Sequence, residues 1–221
     1  MDSQATTQML TLHDDIFIDE NFYSVDTITS LWEECKSAGK MEPFIDQWGV
    51  FKGEHVADQL FLDPDNLLPV TSSCIQRAQE LFPISTKVVR VTYSALYLPW
   101  DIHCDLREVE NGDPYFNILI PFHDVPSRTI IFNQIADDDE FWKYKQSHQP
   151  LEDPIDQETW DKYLSFCWPE DRLYLSIKKI MPEQRAGQLT AFSRYYFHCS
   201  DSFHLWYKQP KYFLQAMFDK A

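Results

Sequence analysis

The apolar positions change period near residue 85. Before that point they recur at helical spacing; after it they alternate with polar ones, residue by residue. In the first part, DIFIDENFYS alternates in part and predicts a short strand after a loose start over 1–12. Asp26 then stands as the cap of a helix, TITSLWEECKSAG, ending near Gly39. Gly49 and Gly53 flank Val50-Phe51, which predicts one further strand, and LLPVTSSCIQRAQELF places a second helix across 65–82, ended by Pro83.

The second part is written for strands. KVVRVTYSALYLPW, YFNILIPFHD, TIIFNQ, LYLSIKKIMPEQ, QLTAFSRYYFHCS and KYFLQAMFDK are rich in β-branched and aromatic residues and are separated by turn signals. The fifth is long enough to be two strands with a bend. Six or more such strands predict a sandwich or barrel. The stretch 137–172 breaks the rhythm: it is acidic, carries Trp142, Trp160 and Trp168, and is helical in part. It reads as an insertion between two strands. The whole, residues 1–221, then forms a single domain: helical support over 1–85, a β core over 86–220, and the insertion 137–172.

Composition narrows the function. A formal net charge of -16 disfavours nucleic acid as partner, because such binding rests on Lys and Arg neutralising phosphates. With 5 glycines and no Gly-rich phosphate motif, a nucleotide-cradling loop is not expected. The 5 cysteines are odd in number, widely spaced and without a CxxC, as in a reducing compartment. The N-terminus has no basic start and apolar run of a secretory signal, and no stretch is apolar for the length a bilayer requires. The expectation is a cytoplasmic protein without a membrane segment.

The chemistry concentrates at Pro99–Phe122. His103 and Asp105 are two positions apart, which in extended chain turns both side chains to one face. The chain then turns through Asn111-Gly112-Asp113-Pro114. An imidazole and a carboxylate converging on one point are two legs of a metal site, and a third leg completes the two-histidine, one-carboxylate set that leaves other positions open on iron. His198, near the end of a glycine-started strand, fits that third position best. His204 follows, then His123, and His148 comes last because it lies in the insertion.

His103-Cys104-Asp105, 92 intervening residues, His198, and a lysine opening the last strand resemble the Fe(II)/2-oxoglutarate-dependent dioxygenases. The resemblance covers about residues 86–220. It implies a double-stranded β-helix (jelly-roll) core, mainly β, with the N-terminal helices packed on one sheet and the insertion between the fourth and fifth core strands. It implies Fe(II) on His103, Asp105 and His198, and 2-oxoglutarate with its far carboxylate on a basic residue of the eighth core strand. Lys211 is favoured over Lys208, since Pro210 cannot join a sheet ladder and the strand should begin after it; Arg194 is a further candidate. Asn117 and Tyr97, on the strands either side of the His-x-Asp motif, are candidates for cosubstrate contact. Cys104 and Cys199 point to the opposite face and pack.

The resemblance implies hydroxylation of a small molecule or an amino-acid side chain with O2, releasing succinate and CO2. The carboxylate of Asp105 argues against the related halogenases, which lack it. Three other readings stay open: a cupin-like barrel with a different metal, a non-catalytic jelly roll that binds a sugar or a protein, and a degenerate family member that keeps the metal but has lost turnover. Segments 43–62 and 137–172, with Trp142 and Trp160, are expected to frame the entrance, because loops carry specificity on such scaffolds.

Overall fold

The computed structural model describes residues 16–47, 49–106, 113–136 and 140–221. The expected loose start, part of the Asn111-Gly112 turn and the first residues of the insertion lie outside the described residues. The elements are β1 (Ile16–Asp19), α1 (Val25–Ala38), β2 (Glu42–Ile45), β3 (His55–Leu62), α2 (Pro69–Gln79), β4 (Thr86–Leu96), β5 (Pro114–Pro121), β6 (Thr129–Ile135), α3 (Phe141–Ser147), α4 (Gln157–Tyr163), β7 (Ile177–Ile180), β8 (Leu189–Ser193), β9 (Tyr196–Ser200) and β10 (Lys211–Lys220).

Two antiparallel sheets form the molecule. The larger has the order β1-β8-β5-β10-β4-β3-β2, the smaller β7-β6-β9. From β5 onward the chain passes back and forth between the sheets: β5 lies in the large one, β6 and β7 in the small, β8 in the large, β9 in the small and β10 in the large. That is the winding of a jelly roll, as the sequence resemblance implied. No helix among the described residues is long and apolar enough to cross a membrane.

Period-two alternation assigns the faces of the large sheet. Phe116, Ile118 and Ile120 of β5, with Leu214, Ala216 and Phe218 of β10, pack into the core beneath α1 and α2. Asn117 and Leu119, with Phe213, Gln215 and Met217, turn the other way into a cavity between the sheets. α1 buries Ile28, Leu31 and Cys35, one face of the helix. It also completes its neighbour. α2 begins with Pro69 and has no side-chain cap of its own, and the Glu34 carboxylate of α1 accepts from Val70 N (2.9 Å) and Thr71 N (2.8 Å) instead. A carboxylate there satisfies orphan donors and complements the helix dipole.

Three local expectations change. The α1 cap is Ser24, whose hydroxyl accepts from Thr27 N, rather than Asp26. Val50-Phe51 is a turn, because the Asp46 carboxylate takes the N–H groups of Gly49 (2.7 Å) and Phe51 (3.0 Å) that a strand would need. The flanking segments pair instead, as β2 with β3. A side chain at position 49 would meet the Asp101 carboxylate at 1.8 Å, so glycine is required there. The strand expected over 173–184 shrinks to β7, because Pro169–Tyr174 forms a 3-10 helix. The stretch 188–200 is two strands, β8 and β9, with the bend at Arg194-Tyr195. All 5 cysteines are buried and none forms a disulfide.

Leu31 is fully buried between α1 and the large sheet, whereas Val25 on the same helix is 77% exposed. Leu31→Ala should lower unfolding stability in urea by about 2–5 kcal/mol, and Val25→Ala by less than about 0.5 kcal/mol. Equal, small effects would mean that α1 is not part of the core.

Candidate metal centre and its cavity

The chain leaves β4 at Leu96 and crosses from the large sheet to the small one. His103 N then donates to His198 O (3.1 Å) and His198 N to His103 O (2.8 Å), so His103 lies beside β9 as an added antiparallel rung. The motif is therefore not the tail of β4. It belongs to the opposite sheet, and the rung sets the two imidazoles side by side, tilted by 53° with ring centroids 4.4 Å apart.

Asp105 completes the group. Its Oδ1 is 3.9 Å from His103 Nε2 and its Oδ2 is 3.4 Å from His198 Nε2. The ligand atoms of the three side chains lie within 4.8 Å of one another, and among the described residues this is the one such cluster. His204, His123 and His148 are elsewhere: against Phe51, against Tyr212 and stacked on Tyr144.

The chemistry of this donor set fits a divalent metal. His103 Nδ1–H donates to Asp101 O (2.6 Å) and His198 Nδ1–H to Tyr196 O (3.1 Å). A carbonyl only accepts, so each ring carries a proton on Nδ1, which leaves Nε2 as the nitrogen turned to the cluster and open to a metal. Burial, reinforced by His103, pushes His198 down to about 4, so it stays neutral, as a ligand must. The Asp105 carboxylate is buried and accepts from Asn117 Nδ2 (2.7 Å). Asn117 Oδ1 and Gln184 Oε1, which also line the cavity, are buried without any partner, the mark of a site shaped for something polar.

The cavity has a volume of about 230 Å³ and holds the three side chains. Lys211 opens β10 and is buried there, donating to Ser200 Oγ (2.8 Å) and Ser127 Oγ (3.2 Å), with its ammonium 4.5 Å from the Phe203 ring. Burial pulls it down to about 8, against the opposing pull of Asp201. Lys208 is instead bound to His204 O at the surface.

Two candidates are placed otherwise. Arg194 does not reach the cavity. It donates from Nε (2.8 Å) and Nη2 (2.6 Å) to Asp105 O, and from Nη1 to Phe218 O and the Asp219 carboxylate. It sits at the bend between β8 and β9, too close beneath Asp105 to meet a ligand above it. Tyr97 follows the end of β4 and points toward β3, its hydroxyl bound to Asp58 Oδ2 (2.7 Å). Asn117 lines the cavity as expected, but the bond it makes there is to Asp105. Cys104 and Cys199 pack in the second core. Of the expected entrance, Phe44 and Gln59 line the cavity, while Trp160 is buried in that second core and Trp142 borders a separate cleft with Asp101 and Asp171. Sequence reasoning missed Ser127, Ser200 and Arg90. The parity of β9 offered Ser200, two residues after His198, and the parity of β4 offered Arg90.

No family model matches the chain, and no curated protein matches it. Solved structures do. Over 97% of this chain and 86% of the other, it superposes on the alpha-ketoglutarate-dependent carbocyclase SnoK of nogalamycin biosynthesis with a TM-score of 0.63 at 12% identity. The epimerase SnoN, in complex with Fe3+, alpha-ketoglutarate and nogalamycin RO, gives 0.60 at 12% identity over 94% and 79%. A Pseudomonas putida prolyl-4-hydroxylase gives 0.54 at 10% identity over 94% and 93%. At such identities the likeness establishes a shared fold: the chain has the fold of these non-haem iron, 2-oxoglutarate-dependent enzymes.

The fully buried pair of Arg194 with Asp219 generates a stability prediction. Arg194→Met should cost about 3–5 kcal/mol in denaturant unfolding, and the double variant Arg194→Met/Asp219→Leu should recover the part due to the unpaired buried carboxylate, while the bonds to Asp105 O and Phe218 O stay lost. A double variant as unstable as the single one would contradict this.

Proposed function

We propose that the protein is an Fe(II)- and 2-oxoglutarate-dependent oxygenase that hydroxylates a C–H bond of a small molecule or an amino-acid side chain. The observation that carries the reading is the convergence of His103, Asp105 and His198 at one wall of a cavity whose far end holds a buried lysine. Two histidines and a carboxylate suit Fe(II) and leave positions for a chelating cosubstrate and O2. Bound there, iron and 2-oxoglutarate supply oxidation of the C–H bond by O2, with release of succinate and CO2.

The chain's own residues do the holding and positioning. His103, Asp105 and His198 are the metal ligands, and the Asn117 carboxamide fixes the rotamer of the Asp105 carboxylate. Lys211 is the seat of the far carboxylate of 2-oxoglutarate. Ser200 receives the Lys211 ammonium and stands two residues after His198 on β9. Two residues of strand span about 6.6 Å, the reach of a five-carbon dicarboxylate from the metal ligands to that lysine. Ser127 and Ser200 hold the ammonium in place through neutral bonds, and Asp201, which accepts from Ser127 Oγ (2.9 Å), is the carboxylate that keeps it charged. The apolar rings and side chains around the cavity, among them Leu96, Phe213 and Leu119, keep water from the reacting centre.

Anaerobic titration of Fe(II) and 2-oxoglutarate into the metal-free protein should produce a visible charge-transfer band. His103→Ala should abolish it. Lys211→Met should raise the 2-oxoglutarate concentration required by about ten- to hundredfold, as for loss of a charge-assisted bond. No band and no cosubstrate binding in the wild type would exclude the reading and favour a non-catalytic jelly roll or another metal.

A pH dependence follows from the depressed lysine. The ammonium of the free protein is lost as pH rises through about 8, so cosubstrate affinity is full below that value and falls above it. Between pH 7 and 9 the 2-oxoglutarate dissociation constant should rise about tenfold in the wild type and stay flat in Lys211→Arg. The same rise in both proteins would remove Lys211 from that role.

A further inference from the structure

A second cleft lies against the segment that carries His103 and Asp105. Its volume is about 660 Å³, and its walls include Asp101, Glu140, Trp142, Lys145, Trp168 and Asp171. A smaller pocket of about 140 Å³ lies between this cleft and the cavity of the histidines. That pocket shares Phe44, Trp100 and His103 with the cavity, and Asp101 with the cleft. Asp101 therefore stands where the two spaces meet. It is two residues before His103, at most about 7 Å of chain. Its carbonyl accepts from His103 Nδ1–H (2.6 Å), which ties its backbone to the cluster.

The charges of the cleft are unevenly matched. Lys145 donates to the Asp171 carboxylate, and Lys143 reaches Glu140 Oε2 at 3.4 Å. The Asp101 carboxylate accepts from one backbone N–H, that of Val50 at 3.0 Å, and among the described residues it forms no ion pair with lysine or arginine. Two indoles share the walls with it. Trp142 is 52% exposed and Trp168 54%, whereas Trp160 of the same insertion is 2% exposed and packs in the second core. The ring of Trp142 already attracts one ammonium, that of Lys143 at 5.7 Å. Aromatic faces beside an unanswered carboxylate suit an organic cation. The formal net charge of -16 draws the same kind of molecule toward the surface.

We propose that the primary substrate carries an ammonium or guanidinium group, received by the Asp101 carboxylate with Trp142 and Trp168 as aromatic walls, while its reacting part enters past Phe44 and Trp100 to the histidines. The proposal rests on the iron and 2-oxoglutarate reading of the neighbouring cavity. Asp101 is then a specificity-determining residue, since a neutral isostere of the substrate leaves its carboxylate unpaired.

The test uses matched cations and neutral isosteres, choline with 3,3-dimethylbutan-1-ol and butylguanidinium with butylurea. Each is titrated calorimetrically into the protein loaded anaerobically with Fe(II) and saturating 2-oxoglutarate. The wild type should bind each cation roughly tenfold more tightly than its neutral partner. Asp101→Asn keeps an acceptor for Val50 N and should remove the preference. Trp142→Ala/Trp168→Ala should weaken choline about five- to tenfold, and Trp206→Ala, which removes an exposed indole outside the cleft, should not. A longer probe, 4-phenylbutylammonium, tests the link to the cavity: Phe44→Ala should weaken it about fivefold and leave choline unchanged. No cation preference in the wild type, including no binding of any probe, overturns the proposal. So does a preference that survives in Asp101→Asn, or an effect of Trp206→Ala equal to that of the cleft tryptophans. Phenylbutylammonium binding that ignores Phe44→Ala would detach the cleft from the cavity and overturn the substrate assignment. A wild type that fails to bind 2-oxoglutarate refutes the iron reading instead. The same titrations without metal then decide Asp101 by themselves: a preference lost in Asp101→Asn supports its role, and no preference ends it.

Discussion

Two backbone hydrogen bonds between His103 and His198 hold the site together. They join a segment that has just crossed from one sheet to the edge strand of the other, and they are the reason that residues 95 positions apart present imidazoles to the same point. Everything near the cluster then follows from period-two alternation. Asp105 is on the His103 face, two residues on. Ser200 is on the His198 face, two residues on, and meets Lys211 across the cavity wall. The large sheet supplies the opposite wall through the odd-numbered residues of β5 and β10 while its even-numbered residues bury beneath α1 and α2. One face of the sheet is thus stabilising and the other is chemical.

Arg194 stabilises this arrangement from below. Its guanidinium grips the carbonyl of Asp105 with two donors and the Asp219 carboxylate with a third, joining the segment that carries His103 and Asp105 to the last strand. A charge buried this completely costs solvation, and it is tolerated because its donors are spread over two carbonyls and a carboxylate. The backbone of Asp105 therefore does not depend on a bound ion for its position, which is preorganisation in the sense that matters for a ligand set.

Much of the fold was legible in the chain. The strands from KVVRVTYSALYLPW onward show themselves by alternation, and both helices by their apolar stripes. The cluster was legible too, as His-x-Asp followed by a histidine on a late strand, and the start of β10 at Lys211 by the proline before it. What the sequence hid depends on long-range partners. Whether Val50-Phe51 is strand or turn was decided by the carboxylate of Asp46. Arg194 looked like an anion partner because it is basic and near His198. Only the bend between β8 and β9 shows that it lies under Asp105. Tyr97 had the right polarity but follows the end of β4, on the side of Asp58. Trp160 carries no sign in its neighbours that it belongs to the second core rather than to an entrance.

The cavity thus combines two imidazoles, one carboxylate and the cationic side chains of Lys211 and Arg90, inside a chain of formal net charge -16. The central claim is that the cluster and Lys211 act as one site for iron and 2-oxoglutarate. A crystal structure of the protein grown anaerobically with Fe(II) and 2-oxoglutarate tests it most directly. The account predicts metal density on His103 Nε2, Asp105 and His198 Nε2, and the far carboxylate of the cosubstrate at Lys211 Nζ between Ser127 and Ser200. Metal bound elsewhere, or a cosubstrate turned so that its far carboxylate meets Arg90, would contradict it.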